Sequence, residues 1–410
     1  MSTLLDEEII ETPVRPRAVT PRPGLRRIAY GGMWILIASI PLETTVLISG
    51  IGTLSRAIGL AVLVPAAAAL LGRGTTRRLI GAHGLMLAFT AWVAGSYFWS
   101  LSPDRTLTQS VTMVQLAALV FLVWQFGRTR SEFMGLAGAF VFGAYAAAIG
   151  TIVRFVVLGE RALRYSLGET INPNNLAFLL ALAIPLAWHL GANVPNMAVR
   201  VLSRLYVPVA VFAVILTGSR GGLIATAIAL IVVPWTMGHV SPLTRFAVAA
   251  ALAVGVPLIA PLLPERPLER LGTTAAELSQ GDIALRRHLW AASVDIWVEH
   301  PVLGVGAAAS RPEIARISSY DFGAHNTYLS VAAELGTIGL AIFMMLLVAV
   351  ARRVMALRGA ELKTAVVLYG TLVVGLLPRH WEYRKGTWVI IAFLVGHSAL
   401  SDRAGRPEPT

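Results

Sequence analysis

Long apolar runs alternate with short polar turns along most of the chain, and this pattern predicts helices that cross a membrane. A run of about twenty apolar residues is long enough to span a hydrocarbon core of ~30 Å as a helix. About twelve such runs are present, at 29–48, 54–71, 80–99, 108–126, 133–157, 173–190, 203–217, 221–238, 246–263, 326–350, 363–377 and 387–400. We therefore expect an all-α polytopic membrane protein, with transmembrane helices 1–9 in 29–263 and helices 10–12 in 326–400.

The remaining segments predict the orientation of the chain. Residues 1–28 carry several arginines and prolines and no secretory cleavage pattern, so we expect a disordered basic tail in the cytoplasm. An even number of spans then returns the short tail 401–410 to the cytoplasm. It also puts the one long loop, 264–325, on the outer side. Charges interrupt this loop throughout, which argues against a thirteenth span.

Two helices are expected within the long loop. Residues 282–299 predict an amphipathic helix with one apolar stripe, formed by Ile283, Trp290, Val294 and Trp297. A second, shorter helix is expected from Ser310, with Glu313 completing a capping box. Such helices are typical of segments that lie along a membrane surface.

Composition narrows the function classes. Only 14% of the residues are charged and the mean hydropathy is +0.69, whereas soluble proteins have about 25% charged residues. A soluble enzyme, a disordered scaffold and a nucleic-acid binder are therefore poor interpretations. The absence of cysteine excludes disulfides, thiolate chemistry and cysteine-ligated metals.

The charge of the chain is strongly basic, and arginine supplies nearly all of it. The net charge is +12, from 34 basic and 22 acidic residues, and Lys363 and Lys385 are the only lysines. Arginine forms bidentate pairs with phosphate, so this bias favours anionic lipids or phosphates as partners, although GC-rich coding gives the same bias. Several arginines also fall on the outer side, against the positive-inside rule: Arg56, Arg154, Arg161, Arg164, Arg220, Arg379 and Arg384.

Three polar clusters share that outer side. The turn 217–222 contains Arg220 between glycines, which let a backbone approach a ligand closely. Residues 286–290 begin with an arginine doublet suited to a diphosphate. Residues 323–329 contain His325, whose side-chain type suits proton transfer near neutral pH. Each has a structural alternative: an arginine that reaches lipid headgroups, a helix docked on anionic lipid, and a helix capped at 325–326.

A fourth, weaker element is the turn 172–175, where Asn172 and Asn174 either contact a substrate or cap a helix. The outer acidic residues, such as Glu43, Glu169 and Glu382, are scattered and form no paired motif. We therefore expect no metal site, and arginine charges would have to take the role of a metal.

Taken together, these motifs resemble the O-antigen ligase and polymerase family. The resemblance is carried by residues 216–222 (LTGSRGG), 286–290 (RRHLW), 300–306 (HPVLGVG) and 325–329 (HNTYL), with support from 40–43 (IPLE) and 172–174 (NPN). It implies a GT-C-like helical fold and a cofactor-independent, metal-independent glycosyltransferase in the bacterial inner membrane, with its active site facing the periplasm. The donor would be an undecaprenyl-diphosphate-linked glycan and the acceptor the lipid A-core, with membrane lipids as surroundings.

The resemblance also implies roles for individual residues. Arg220 and Arg286 would bind the diphosphate, and His325 would take the proton of the acceptor hydroxyl, with inversion at the anomeric carbon. Arg287 is a less well placed substitute for Arg286, because the family spacing from arginine to tryptophan is four residues. Further substrate contacts are expected from Arg161, Arg164, Asn172, Asn174, Asn326 and Trp290.

Other functions stay open at this point. A polymerase that joins lipid-linked repeat units would carry the same motifs, and only the length and the single dominant outer loop favour a ligase. A lipid or glycan transporter and a lipid-binding accessory subunit also fit twelve spans. The gathering of polar residues at one face favours catalysis at a surface over passage through the membrane.

Overall fold

The computed structural model describes residues 23–43, 45, 47–72, 76–159, 164–168, 171–238, 241–243, 246 and 282–404. In these residues the fold is almost entirely helical, as predicted. The helices, in chain order from α1 to α14, are Pro23–Ser39, Leu54–Leu71, Gly81–Gly95, Pro103–Phe126, Arg130–Leu158, Pro173–Asn193, Met197–Leu216, Arg220–Leu230, Val232–Thr236, Asp282–Glu299, Ser310–Ser318, Thr327–Met355, Gly359–Leu376 and Lys385–Ala404. Short 3₁₀ turns at Ile40–Leu42 and Ser96–Trp99 and a hairpin of β1 (Leu47–Ile48) and β2 (Gly52–Thr53) connect them.

Among the described residues, seven helices are long and apolar enough to cross a membrane: α2, α4, α5, α6, α7, α12 and α13. These helices support a multi-pass membrane protein, and the number of twelve spans stays a prediction. Helix α6 is the most enclosed of these seven helices, because 78% of an apolar stretch of 18 residues within it is buried. It packs against α5, α7, α8 and α13. The predicted span 246–263 lies outside the described residues except at 246, as do most of the two predicted tails and 264–281 of the long loop.

Helix α12 is broken one-third of the way along. Gly336 has φ 64° and ψ −170°, which interrupts the helical hydrogen bonds. The loop after α10 supplies the missing partners: the N–H groups of Val305 and Gly306 donate to the carbonyls of Ala333 (3.1 Å) and Glu334 (2.8 Å). Broken backbone at membrane depth is tolerated only where protein replaces the lost bonds, so this loop and the first part of α12 form one unit.

The predicted apolar stripe of α10 is wrong. Among the described side chains of this helix, Leu289, Ala292, Ser293 and Ile296 are buried, whereas Val294 is 38% exposed. Small and aliphatic side chains allow α10 to pack closely against α11 and α12, and the bulky Trp297 stays only partly buried. Aromatic residues at helical spacing therefore gave the wrong face.

Helix α11 begins at Ser310 as predicted, but the predicted capping box does not form. Ala309 is the N-cap residue and makes no side-chain cap bond. The hydroxyl of Ser310 donates instead to Glu334 in α12, at 2.7 Å. A buried carboxylate is a stronger hydrogen-bond acceptor than the competing local groups, so the tertiary contact replaces the local one.

We expect Gly336→Ala to destabilise the protein by at least about 1–3 kcal/mol, because alanine disfavours a positive φ. The added Cβ would also overlap the carbonyl of Val302. Thermal unfolding in detergent measures the effect. Gly138→Ala in α5 is the matched control, since a Cβ there meets nothing within 4 Å; equal stability of the two variants would contradict the structural role of the break.

Candidate active site

Several helix ends converge on a cavity of about 700 Å³ at one end of the bundle. Its lining comes from the starts of α2, α4, α11, α12 and α14 and from the connection between α13 and α14. Cationic, acidic and imidazole side chains line it together: Arg56, Arg105, Arg311, Arg384 and Lys385; Glu43, Glu334 and Glu382; His325 and His380. Residues from distant parts of the sequence thus form one polar chamber at the end of an apolar bundle.

His325 lies at the start of α12 in an unusual backbone conformation. Its φ of 48° is positive, which non-glycine residues seldom adopt. The following residue, Asn326, caps α12, and its side-chain oxygen accepts from the N–H groups of Tyr328 (3.0 Å) and Leu329 (3.2 Å). The cap at Asn326 and the positive φ of His325 together fix the direction in which the imidazole points from the start of α12.

A second histidine, which the sequence did not single out, faces His325. The ring centroids of His325 and His380 are 5.2 Å apart. Burial, with the nearby His325, lowers the pKa of His380 to about 4, so His380 is neutral at pH 7. Its Nδ1 atom is buried and has no hydrogen-bond partner in the described part of the chain.

Two buried carboxyl groups form another wall of the cavity. Glu334 accepts hydrogen bonds from the Ala308 N–H (2.8 Å), the Ser310 hydroxyl (2.7 Å) and the Tyr383 hydroxyl (3.0 Å). Glu382 accepts from the Ser330 hydroxyl at 2.6 Å.

The pKa of Glu382 is raised to about 8 by burial and by the charge of Glu334, so Glu382 is mainly protonated at neutral pH. Its second oxygen has no partner among the described residues. The pair therefore offers both a hydrogen-bond acceptor and a proton on one wall.

An arginine cluster adjoins the histidine pair. Arg379 directly precedes His380, is 3% exposed, and donates to the backbone oxygens of Asn174 (2.8 Å) and Gly375 (3.2 Å). Its guanidinium also lies over the ring of Phe178, 4.6 Å from the centroid. These contacts hold a charged group rigidly at the edge of the site.

Arg164 belongs to the same cluster. It donates to the carbonyl of Thr217 at 2.9 Å and to the side-chain oxygen of Asn174 at 2.5 Å. Asn174 therefore links Arg164 to Arg379.

The two arginines with the clearest sequence signal adjoin Arg379. Arg220 begins α8, and a Cβ added to the next residue, Gly221, would lie 3.6 Å from Nη1 of Arg379. The pKa of Arg379 is lowered mainly by burial and further by the nearby charge of Arg286. Neither Arg220 nor Arg286 lines the cavity itself.

The structure gives local contacts or exposure for most of the other predicted site residues. Asn172 caps α6 by accepting from the Asn174 N–H (2.9 Å), as Asn326 caps α12. Arg287 is exposed on α10. Trp290 is partly buried, and its indole nitrogen has no partner within the described residues. Arg161 lies outside the described residues.

The sequence interpretation missed Arg379, His380 and the carboxyl pair, yet it held signals for some of them. Arg379 was one of the arginines that violated the positive-inside rule. Glu382 was treated as scattered, whereas Glu43, Glu334 and Glu382 line one cavity. Residues 379–385 form a dense polar run between two apolar helices, and this density was the neglected signal.

The structure predicts a pH-dependent contribution of Glu382 to stability. A folded-state pKa raised from 4.5 to about 8 means that unfolding releases a proton between these values. The stabilisation is therefore full below pH 4.5 and is lost as the pH rises through about 8. Unfolding midpoints in detergent should fall across this window in the wild type but less in Glu382→Gln. Glu299→Gln, at an exposed position, should keep the wild-type slope; parallel curves for all three proteins would refute the raised pKa.

Comparison with known proteins agrees with the sequence resemblance. The family model described as O-antigen ligase matches residues 205–344. This segment contains Arg220, Arg286 and His325 and ends within α12. No curated protein matches the chain. The match confirms the resemblance and supports a ligase- or polymerase-type glycosyltransferase in a multi-pass membrane protein.

Proposed function

Because the central segment of the chain is similar to the O-antigen ligase family, we propose that the protein transfers a glycan from undecaprenyl diphosphate to a sugar hydroxyl of the lipid A-core. The reaction is metal-independent and inverts the anomeric carbon. The observation that carries the proposal is the direct adjacency of an arginine cluster and a histidine pair, joined through the consecutive residues Arg379 and His380.

The arginine cluster suits the departure of a diphosphate. When the bond between the anomeric carbon and the diphosphate oxygen breaks, negative charge grows on the leaving group. Fixed guanidinium groups stabilise this charge more in the transition state than in the ground state. In this proposal Arg220 and Arg286 hold the diphosphate. Arg164 and Arg379, which hydrogen bonds to the backbone keep in place, raise the positive potential around it.

His325 suits the activation of the acceptor. As the acceptor oxygen bonds to the anomeric carbon, its proton passes to the imidazole of His325. His380 supports this step, because its lowered pKa keeps it neutral and removes charge repulsion against a protonated His325. Attack from the cavity, opposite the arginine cluster, gives inversion.

The proposed membrane arrangement follows from hydropathy and from the seven described helices that can span a bilayer. Twelve spans put both termini in the cytoplasm and the cavity, with the loop 264–325, on the periplasmic side of the bacterial inner membrane. The arginines of the cavity and of the adjoining cluster then face the periplasm, and binding of the anionic lipid-linked substrates accounts for their departure from the positive-inside rule.

The reaction can be tested with purified protein in nanodiscs, supplied with an undecaprenyl-diphosphate-linked glycan and lipid A-core in the presence of EDTA. Transfer of the glycan to lipid A-core supports the proposed ligase. Lengthening of the lipid-linked glycan without labelled lipid A would identify a polymerase, in which a second lipid-linked glycan is the acceptor. If neither product forms, the transporter is favoured instead. Loss of transfer in the presence of EDTA would contradict metal independence.

We expect His325→Ala to lower kcat by about 10²–10⁴-fold with little change in donor KM, because it removes only the proton acceptor. His300→Ala is the matched control, since His300 is exposed and lies outside the cavity lining. Initial rates at varied donor concentration measure both constants. A wild-type kcat for His325→Ala would exclude His325 as the base.

Arg220→Ala and Arg286→Ala should instead raise donor KM and also lower kcat, because their charges act on the diphosphate before and during its departure. Arg316→Ala serves as control, because its guanidinium is exposed on α11 and pairs with Glu313 at 2.8 Å. Equal loss of donor binding in the two arginine variants and in His325→Ala would contradict the division of roles.

A further inference from the structure

An apolar groove descends from the cavity along the outside of the bundle, between α2 and α4. Leu60 and Leu63 of α2 and Leu119 and Leu122 of α4 form its walls, and Leu36 of α1 lines it as well. Helix α2 packs against α1, and α4 packs against α3 and α14, so the two walls are held apart by their own neighbours. Leu60 is 45% and Leu63 36% exposed, which leaves the groove open on its flank.

The groove and the cavity are continuous. Arg56, Thr112, Gln115 and Lys385 line both. These polar residues lie at the upper end of the groove, and the leucines lie below them. The path therefore changes from cationic and hydrogen-bonding to purely apolar along a single direction.

The dimensions suit a hydrocarbon chain. Lining residues run from 55 to 63 on α2 and from 112 to 122 on α4. At 1.5 Å per helical residue these stretches are roughly 12–15 Å long. The groove thus covers roughly half of a ~30 Å hydrocarbon core.

The charge at the mouth suits an anionic headgroup. Lys385 is paired with Glu43, whereas no carboxylate of the described residues forms an ion pair with Arg56. An arginine at the top of an apolar groove matches a lipid whose phosphate lies at the membrane surface and whose chain lies below it.

The positions of the groove and of the donor arginines indicate which of the two lipid substrates occupies the groove. The arginines assigned to the donor adjoin Arg379 and do not line the cavity, whereas the groove opens directly into it. An inverting displacement brings donor and acceptor to the reaction centre from opposite sides. We infer that the groove between α2 and α4 binds a hydrocarbon chain of the acceptor lipid, with an anionic headgroup at Arg56 and its glycan in the cavity facing His325; this inference rests on the proposed function.

Photo-crosslinking tests the groove without requiring turnover. Benzoylphenylalanine replaces Leu60, and the protein in nanodiscs is irradiated with labelled lipid A-core alone or with undecaprenyl-diphosphate-linked glycan alone. We expect capture of lipid A-core, competed by unlabelled acceptor. Benzoylphenylalanine at Val64, which is 74% exposed and outside the groove lining, is the matched control and should give only uncompeted labelling. Selective capture of the donor, or no competed capture of either lipid, would overturn the inference.

Kinetics provide the second test. Gly59 lines the groove, and a Cβ there would already contact Leu36 at 3.6 Å, so Gly59→Leu fills the groove. We expect acceptor KM to rise at least tenfold in Gly59→Leu and Arg56→Gln with donor KM unchanged, and Arg56→Lys to recover part of the loss. Val64→Leu should match the wild type.

The two proposals fail in different ways. If wild-type protein transfers no glycan but captures lipid A-core at position 60, the proposed function fails and the groove remains a lipid site. If transfer is normal and acceptor KM is unchanged in Gly59→Leu, the groove inference fails and the transferase stands.

Discussion

Most of the site depends on one constraint, which is that a helix broken inside a membrane must find new partners for its backbone. Helix α12 breaks at Gly336, and the loop that follows α10 lies against the break closely enough that a Cβ on either Gly304 or Gly336 would overlap the opposing backbone. The indole of Trp92 donates to the carbonyl of Leu335 at 2.9 Å, which satisfies another group freed by the break. Backbone hydrogen bonds, together with the buried side chains of Val305 and Ala307, fix the loop in place.

That docked loop then builds the cavity wall. With 301–306 held against α12, the next residues present the Ala308 N–H and the Ser310 hydroxyl to Glu334, two residues before the break. The carboxylate is held from the loop, from α12 and, through Tyr383, from the connection between α13 and α14. The same connection carries Arg379 and His380, so a single network joins the charged residues on both sides of His325.

The sequence predicted the helical class well, because hydropathy is a local signal, and unusual polar clusters are local signals too. His325, Arg220 and Arg286 stood out in this way. Long-range contacts were not visible: α10 was assigned the wrong buried face, and the Ser310 hydroxyl left its predicted cap for a carboxylate 24 residues away. The shifted pKa values of His380 and Glu382 arise from burial and from nearby residues, His325 and Glu334. No local sequence pattern shows either cause. The arginines that violated the positive-inside rule were the sequence signal that best indicated the site. Most of them lie at the cavity or in the adjoining cluster: Arg56, Arg164, Arg220, Arg379 and Arg384.

The open flank of the groove has a consequence for how the protein samples its surroundings. A ligand that enters between α2 and α4 comes from a two-dimensional pool, so its effective concentration is its mole fraction in the leaflet and not its amount per volume of solution. The fraction of protein with an occupied groove would then depend on how far other lipids dilute the ligand and on how tightly the leaflet is packed. Crowding within the plane of the membrane, rather than diffusion through water, would govern how often the chamber is filled.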